Sequence, residues 1–223
     1  MKKVFLLSAL IALVFTENSH AQSSEVFNKK GYKLTFESQD AAFSKELKDK
    51  LVETFYEVYP KLAKAYNKKT AKNVTFVIDT AYDGVAATDN GRVVFSSKYM
   101  ARHPHDIDVV THEVMHIVQD YGQSNGPGWL TEGIADYARY KFGVDNAGAK
   151  WALPAFKTSQ SCENSYRITA RFLVWVEKGI KPGLVKDLDG QLRDHTFTDD
   201  SWKKETGKTL DELWAAYAAN PTI

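Results

Sequence analysis

Hydrophobic and polar positions along the chain change period several times, and each change marks a new element. Tyr32-Lys33-Leu34-Thr35-Phe36 alternates strictly, as a half-buried strand does, after a polar leader that begins at Gln22. Between Asp40 and Asn67 the apolar residues Phe43, Leu47, Leu51, Phe55, Val58 and Leu62 recur at helical steps, which predicts one long helix with a Lys-rich outer face. Val74-Thr75-Phe76-Val77-Ile78 predicts a second strand. Residues 84–87 and 93–96 flank Asp89-Asn90-Gly91, a hairpin signal because Asn and Gly accept the positive φ of a tight turn. After Pro104 the period becomes helical: Val110, Val114, Ile117 and Tyr121 fall within an arc of about 60° on a helical wheel, and Gly122 predicts the end.

Residues 123–128 read as a loop, and a helix over 130–142 is stopped by Gly143. Further helices are predicted over 165–178, 185–192 and 209–218, the last with Asp211 and Glu212 in its first turn, where the dipole favours acidic groups. Strands and one helix come first and helices follow. That order predicts an α+β fold, with a small N-terminal mixed sheet, a helix pair in the middle and a helical C-terminal lobe, rather than a doubly wound sheet.

The N-terminus stands apart from this pattern. Lys2 and Lys3 precede an apolar run over 4–15, and Ser19-His20-Ala21 is a small-x-small cleavage site, so residues 1–21 read as a secretory signal peptide and 22–223 as one domain. No later stretch approaches the roughly 20 apolar residues of a transmembrane helix. The expectation is an exported protein, periplasmic or extracellular, with no membrane span. With 29 Lys+Arg against 28 Asp+Glu, the chain stays near neutral after cleavage, which removes any argument for a nucleic-acid partner. At 43% hydrophobic and 26% charged it is not a disordered chain, and at this length no covalent staple is needed. Cys162 is the one cysteine; it can form no internal disulfide and is expected as a small buried side chain. A monomer is expected, the pattern itself being silent on oligomeric state.

Candidate chemistry lies in the middle helix, Thr111-His112-Glu113-Val114-Met115-His116, which reads H-E-x-x-H. Residues four apart stand one above the other on a helix, so both imidazoles can grip one Zn²⁺ while Glu113, one step round, reaches its open side. On the wheel the histidines lie opposite the apolar stripe. A catalytic zinc takes three protein ligands, and the next helix offers Glu132 and, one turn on, Asp136. Glu132 is read as ligand, with Gly133 allowing close approach, and Asp136 as the acceptor of a ligand histidine's other N–H; the reverse assignment stays open.

His-Glu-Val-Met-His followed by Gly128-Trp129-Leu130-Thr131-Glu132-Gly133-Ile134-Ala135-Asp136-Tyr137 resembles the gluzincin metallopeptidases. More closely, residues 76–217 resemble the basic secretory protein family, peptidase-like proteins of plants and bacteria. That likeness rests on Glu132-Gly133-Ile134-Ala135-Asp136-Tyr137, on Tyr166-Arg167-Ile168-Thr169-Ala170-Arg171-Phe172-Leu173 and on the run from Thr206 to Trp214. The resemblance implies a zincin-like fold, one zinc per chain, a glutamate third ligand and a peptide or protein substrate. The chain departs in a shorter loop between His116 and Glu132, and in lacking a basic charge.

The implied reaction is metal-assisted hydrolysis, with Glu113 taking the proton of water and returning it to the leaving amine. Tyr166 is expected to hold the oxyanion, chosen from Tyr137, Tyr140, Tyr166 and Arg171. The strand over 93–97 is expected to offer an edge to an extended peptide. The alternative is a catalytically inactive zincin-like fold whose aromatic surface binds a glycan or a protein; Glu113 argues against it, since a mere binder needs no base between the histidines. His103, His105 and His195 have no ligand spacing, Gly207-Lys208-Thr209 lacks the glycine of a phosphate loop, and Asn73-Val74-Thr75 is a sequon in a strand setting.

Overall fold

A computed structural model describes residues 23–123 and 126–223, so the proposed signal peptide lies outside the described residues. The elements are β1 (Ser23–Lys29), β2 (Tyr32–Ser38), α1 (Lys45–Ala65), β3 (Asn73–Asp79), β4 (Ala86–Asp89), β5 (Arg92–Ser96), α2 (Ser97–Arg102) and α3 (Val109–Gln119). Then follow α4 (Gly128–Phe142), α5 (Tyr166–Gly179), α6 (Leu184–Arg193), α7 (Ser201–Thr206) and α8 (Leu210–Ala219). The sheet has five strands in the order β1-β2-β3-β5-β4, parallel across β2-β3-β5 and antiparallel at both ends. This is the α+β arrangement expected, with a mixed sheet first and helices after.

Several details differ from the sequence expectation. The polar leader is a strand: β1 pairs with β2 from Ser23↔Ser38 to Lys29↔Tyr32, through a turn in which Lys30 (φ 53°) and Gly31 (φ 78°) are both left-handed. Its side chains are mostly exposed, so it carries no hydrophobic alternation, and backbone hydrogen bonds hold it. The strand over 93–97 is not an edge; β5 is paired with β3 on one side and β4 on the other, and β4 is the edge. Ser97 starts α2 instead, because Ser96 Oγ accepts the Tyr99 amide. Another is α7, a short helix around buried Trp202 that has too few turns to show a period.

Helix α1 begins at Lys45, not Asp40, since Ser44 Oγ caps it by accepting the Leu47 amide at 3.3 Å. It runs through Pro60, which has no N–H to give Tyr56 O, and Lys30 Nζ supplies the missing donor at 2.9 Å. Its apolar face meets the sheet through rings: Phe55 stacks on Tyr59 (4.9 Å) and stands edge-on to Phe76 (5.5 Å), which in turn meets Phe95 (5.1 Å). A second group of aromatic residues closes the C-terminal lobe, where Phe172, Trp202, Trp214 and Tyr217 cluster. Core packing is therefore their use. Cys162 is buried, as expected.

Helix α3 ends at Asp120, in the left-handed region at φ 47°, before Gly122 is reached. Its last carbonyls are taken by Arg193 of α6, whose Nη1 reaches Val118 O (3.3 Å) and Gln119 O (3.2 Å), while Nη2 holds Tyr66 O (3.1 Å) at the end of α1. Asp189 anchors that guanidinium at 2.7 Å. One side chain thus closes two helix C-termini and fixes them together. Every residue of α3 from Val109 to Gln119 except His116 is buried, and the side of the helix opposite the apolar stripe borders a cleft.

Gly133 on α4 sets the distance to α5, because a Cβ there would lie 2.2 Å from Thr169 Cγ2 and 2.7 Å from its Cβ. Thr169 cannot swing aside, being fully buried with its hydroxyl donating to Cys162 O. Gly133→Ala should therefore cost about 1–3 kcal/mol by overpacking. Thr169→Ser in that background, which removes the methyl and keeps the hydroxyl, should recover part of it. Thermal melts of the two variants check this, and an unchanged melting temperature for Gly133→Ala would mean that α4 and α5 are not in this contact.

Candidate metal centre

The site is built from one turn of α3 and the first turns of α4. His112 and His116 are stacked one above the other, and Glu132 comes at them from α4. His112 Nε2 lies 3.2 Å from His116 Nε2 and 3.2 Å from Glu132 Oε2, and His116 Nε2 lies 3.6 Å from the same oxygen. Among the described residues these form the one group of three side chains able to hold a metal ion.

The second nitrogen of each ring is already committed. His112 Nδ1 sits 2.7 Å from Asp136 Oδ1, and a carboxylate can only accept, so Nδ1 carries the proton. His116 Nδ1 sits 2.6 Å from Gln119 Oε1. The amide of Gln119 cannot be turned round, because its Nε2 donates to Thr131 O at 2.9 Å. Hence His116 is also protonated on Nδ1, and both Nε2 lone pairs point at each other and at a carboxylate. Asp136, on the far side of the His112 ring, is outside this cluster, whereas Glu132 is inside it.

Three lone-pair atoms at such distances need a positive charge between them. In the metal-free protein a proton serves: burial opposes the charged form of His112, but hydrogen bonds to Asp136 and Glu132 and the charges of Asp136 and Glu113 outweigh it and raise its pKa to about 10. Burial likewise opposes ionisation of Glu132, yet the two imidazoles hold its carboxyl well below the usual carboxylate range. A zinc ion fits the same place. A tetrahedron with zinc–nitrogen and zinc–oxygen bonds of ~2.0–2.1 Å has edges of about 3.3–3.4 Å, close to the spacings of these atoms.

Glu113, 5% exposed, turns toward the sheet edge, where Thr88 Oγ1 on β4 donates to its Oε2 at 2.7 Å and lies 3.1 Å from its backbone carbonyl. Tyr166 caps the other side, its ring 6.0 Å from that of His112 and nearly parallel. It is presented by a strained elbow: Ser165 (φ 63°, ψ 179°) lies in a region populated by glycine, and Tyr166 itself has φ 48°. The charge of Glu132 above all, then burial, raises the Tyr166 phenol, so it stays protonated and able to donate. These groups line a cleft of about 1040 Å³.

The other expected candidates are elsewhere. Tyr137 and Tyr140 do not line the cleft, and Arg171 is turned to the C-terminus, donating to Pro221 O at 2.8 Å. His103 lies against Tyr99 with ring centres 4.4 Å apart, outside the donor cluster, as are His105 and His195. Two residues of the site escape sequence reasoning. Gln119 stands one turn past His116, a spacing that could have pointed to it; Thr88 is brought in by the sheet, and nothing in the chain marks it.

The fold has relatives among solved structures. The chain is similar to a two-domain M1 zinc metallopeptidase variant crystallised with L-tryptophan, and to an M1 zinc metallopeptidase variant from Deinococcus radiodurans crystallised with a Tyr-Ser-Ala substrate. Each gives a TM-score of 0.52 at 13% identity, over 91% of this chain and 52% of the other. The likeness is one of fold, and the chain spans about half the length of these enzymes. No curated protein matches the sequence. The family model described as BSP, peptidase of plants and bacteria, matches residues 13–217, nearly the whole chain, and the protein belongs to that family.

Proposed function

We propose that this peptidase is zinc-dependent and exported, with His112, His116 and Glu132 as the residues that would hold the ion. The observation that carries the reading is the convergence of two Nε2 lone pairs and a carboxylate oxygen, with both Nδ1 atoms tied down by Asp136 and Gln119. When bound, zinc supplies a Lewis acid that acidifies water and polarises the scissile carbonyl. Asp136 and Gln119 keep each imidazole in the tautomer and orientation that ligation requires. Glu113, steadied by Thr88, takes the proton of the attacking water and delivers it to the departing amine. Tyr166 donates its phenolic hydrogen to the oxyanion. The substrate lies in extended form along β4, the edge strand beside the site, three of whose residues, Ala86, Ala87 and Thr88, line the cleft. The leader over 1–21 supports export, and no described helix is long and apolar enough to cross a membrane. A base buried beside the histidines is a feature that a purely binding module has no use for.

The test begins with elemental analysis of the purified protein and cleavage of a mixed peptide library. One zinc per chain and cleavage abolished by a chelator are expected. Glu113→Gln should keep the zinc and lose about 10²–10⁴ in rate, the usual worth of a general base; full activity in that variant would remove Glu113 from the mechanism. Glu132→Ala should lose stoichiometric zinc. Asp136→Asn and Gln119→Ala should retain it with about 10–100-fold weaker affinity in a competition titration, as loss of a hydrogen-bonded support does. The opposite ranking, with Asp136→Asn losing the metal and Glu132→Ala keeping it, would reverse their roles. Tyr166→Phe should lower kcat by about 10²–10³ with KM little changed; a change in KM alone would assign the ring to substrate packing.

A further inference from the structure

The charges that line the cleft divide into those with a partner and those without. Glu113, Glu132 and Asp136 are engaged around the histidines. Asp106 accepts Tyr99 Oη at 2.6 Å and pairs with Arg139 Nη2. Arg139, 5% exposed, also gives Nε to Asn146 Oδ1 at 3.0 Å and lies 4.6 Å over the Trp151 ring. Lys150 and Arg167 are different. Both line the cleft and are exposed, and among the described residues neither makes an ion pair or a side-chain hydrogen bond. The charges left over are therefore both cationic, in a cleft whose acidic groups are all occupied.

A run of contacts along the cleft wall leads from one of these cations toward the other. Arg167 follows Tyr166, and its field reaches the Tyr99 phenol. Tyr99 leads through Asp106 and Arg139 to Trp151, the neighbour of Lys150. Lys150 is held in a turn by its own amide on Ala147 O (2.9 Å) and by Trp151 N on Asn146 O (2.9 Å), at φ 53°. Glycine would be the easy residue at that φ, yet the chain places there a lysine whose side chain makes no ion pair or hydrogen bond among the described residues.

We infer that this wall of the cleft is a carboxylate subsite, in which Lys150 and Arg167 take an anionic group of the peptide, either an acidic side chain or the free C-terminal carboxylate. The inference rests on the peptidase reading above for the nature of the ligand. Arg167 suits the task because its planar fork can meet both oxygens, with Lys150 as a second point charge and Trp151 as an apolar wall.

The test uses Glu113→Gln loaded with zinc, so that binding is read without turnover, and three peptides of equal length. The first has neutral side chains and a free C-terminus, the second is the same peptide amidated, and the third is amidated with one internal glutamate. The first or third should bind about tenfold tighter than the second, with the gap narrowing at high salt. Which of the two gains tells a terminal carboxylate from a side chain. Adding Lys150→Gln and Arg167→Gln should close the gap, and Arg167→Glu should shift preference to an amidated peptide carrying lysine. Equal binding of all three peptides, no measurable binding of any, or a gap that survives both substitutions in a folded protein would overturn the inference. Cleavage of the same peptides by the unsubstituted protein separates the two readings: no cleavage with the binding gap intact sinks the peptidase mechanism and leaves the carboxylate subsite standing.

Discussion

Helix α3 carries a column of polar side chains, His112, Glu113, His116 and Gln119, through the interior of the protein, and the rest of the structure is arranged to satisfy them. An unpaired buried polar group costs about 1–3 kcal/mol, and a charged one more, so four in adjoining turns could undo the stability of a protein this size. Their partners come from two other elements and from the column itself: Asp136, Glu132 and Thr131 O on α4, Thr88 on β4, and Gln119 for His116. The site is therefore also a device for register. Displacing α4 along α3 by one turn would break the Asp136, Glu132 and Thr131 contacts together.

That demand explains the anchoring at the ends. Arg193 closes the C-termini of α3 and α1 at once, with Asp189 and Tyr121 sharing the buried charge behind it. Gly133 lets α5 approach α4, and α5 in turn brings Tyr166 over the His112 ring. The strained backbone at Ser165 and Tyr166 sits where that ring is aimed, consistent with strain held at a site by the packing around it.

The electrostatics follow from the same packing. Inside the cleft, every acid is hydrogen-bonded to an imidazole, a hydroxyl or a guanidinium, which fixes the orientation of its carboxyl group. Burial opposes the charged form of His112, yet Asp136 and Glu132 outweigh it and favour the imidazolium. The unpaired lysine and arginine stay at the surface, where exposure makes an uncompensated charge inexpensive.

Much of this was legible in the chain. The period of Leu47, Leu51, Phe55 and Leu62 specified α1, the turn at Asn90-Gly91 specified the β4-β5 hairpin, and the H-E-x-x-H spacing placed two imidazoles on one face, because these depend on contacts a few residues apart. Glu132 and Asp136 could be singled out as a pair, but which of them meets Nε2 and which meets Nδ1 is decided by how α4 lies across α3. Tyr166 could be singled out among several candidates from its place before a helix; that its ring lies beside that of His112 depends on how α5 packs on α4. Strand β1 and Thr88 left no usable mark, since backbone pairing needs no hydrophobic period and a threonine on a sheet edge is ordinary until the sheet brings it to Glu113. The chain by itself determined the local elements and the chemistry available on each. Only the tertiary structure decided which lone pairs converge and which charges stay free, because both depend on distances between elements that are far apart in sequence.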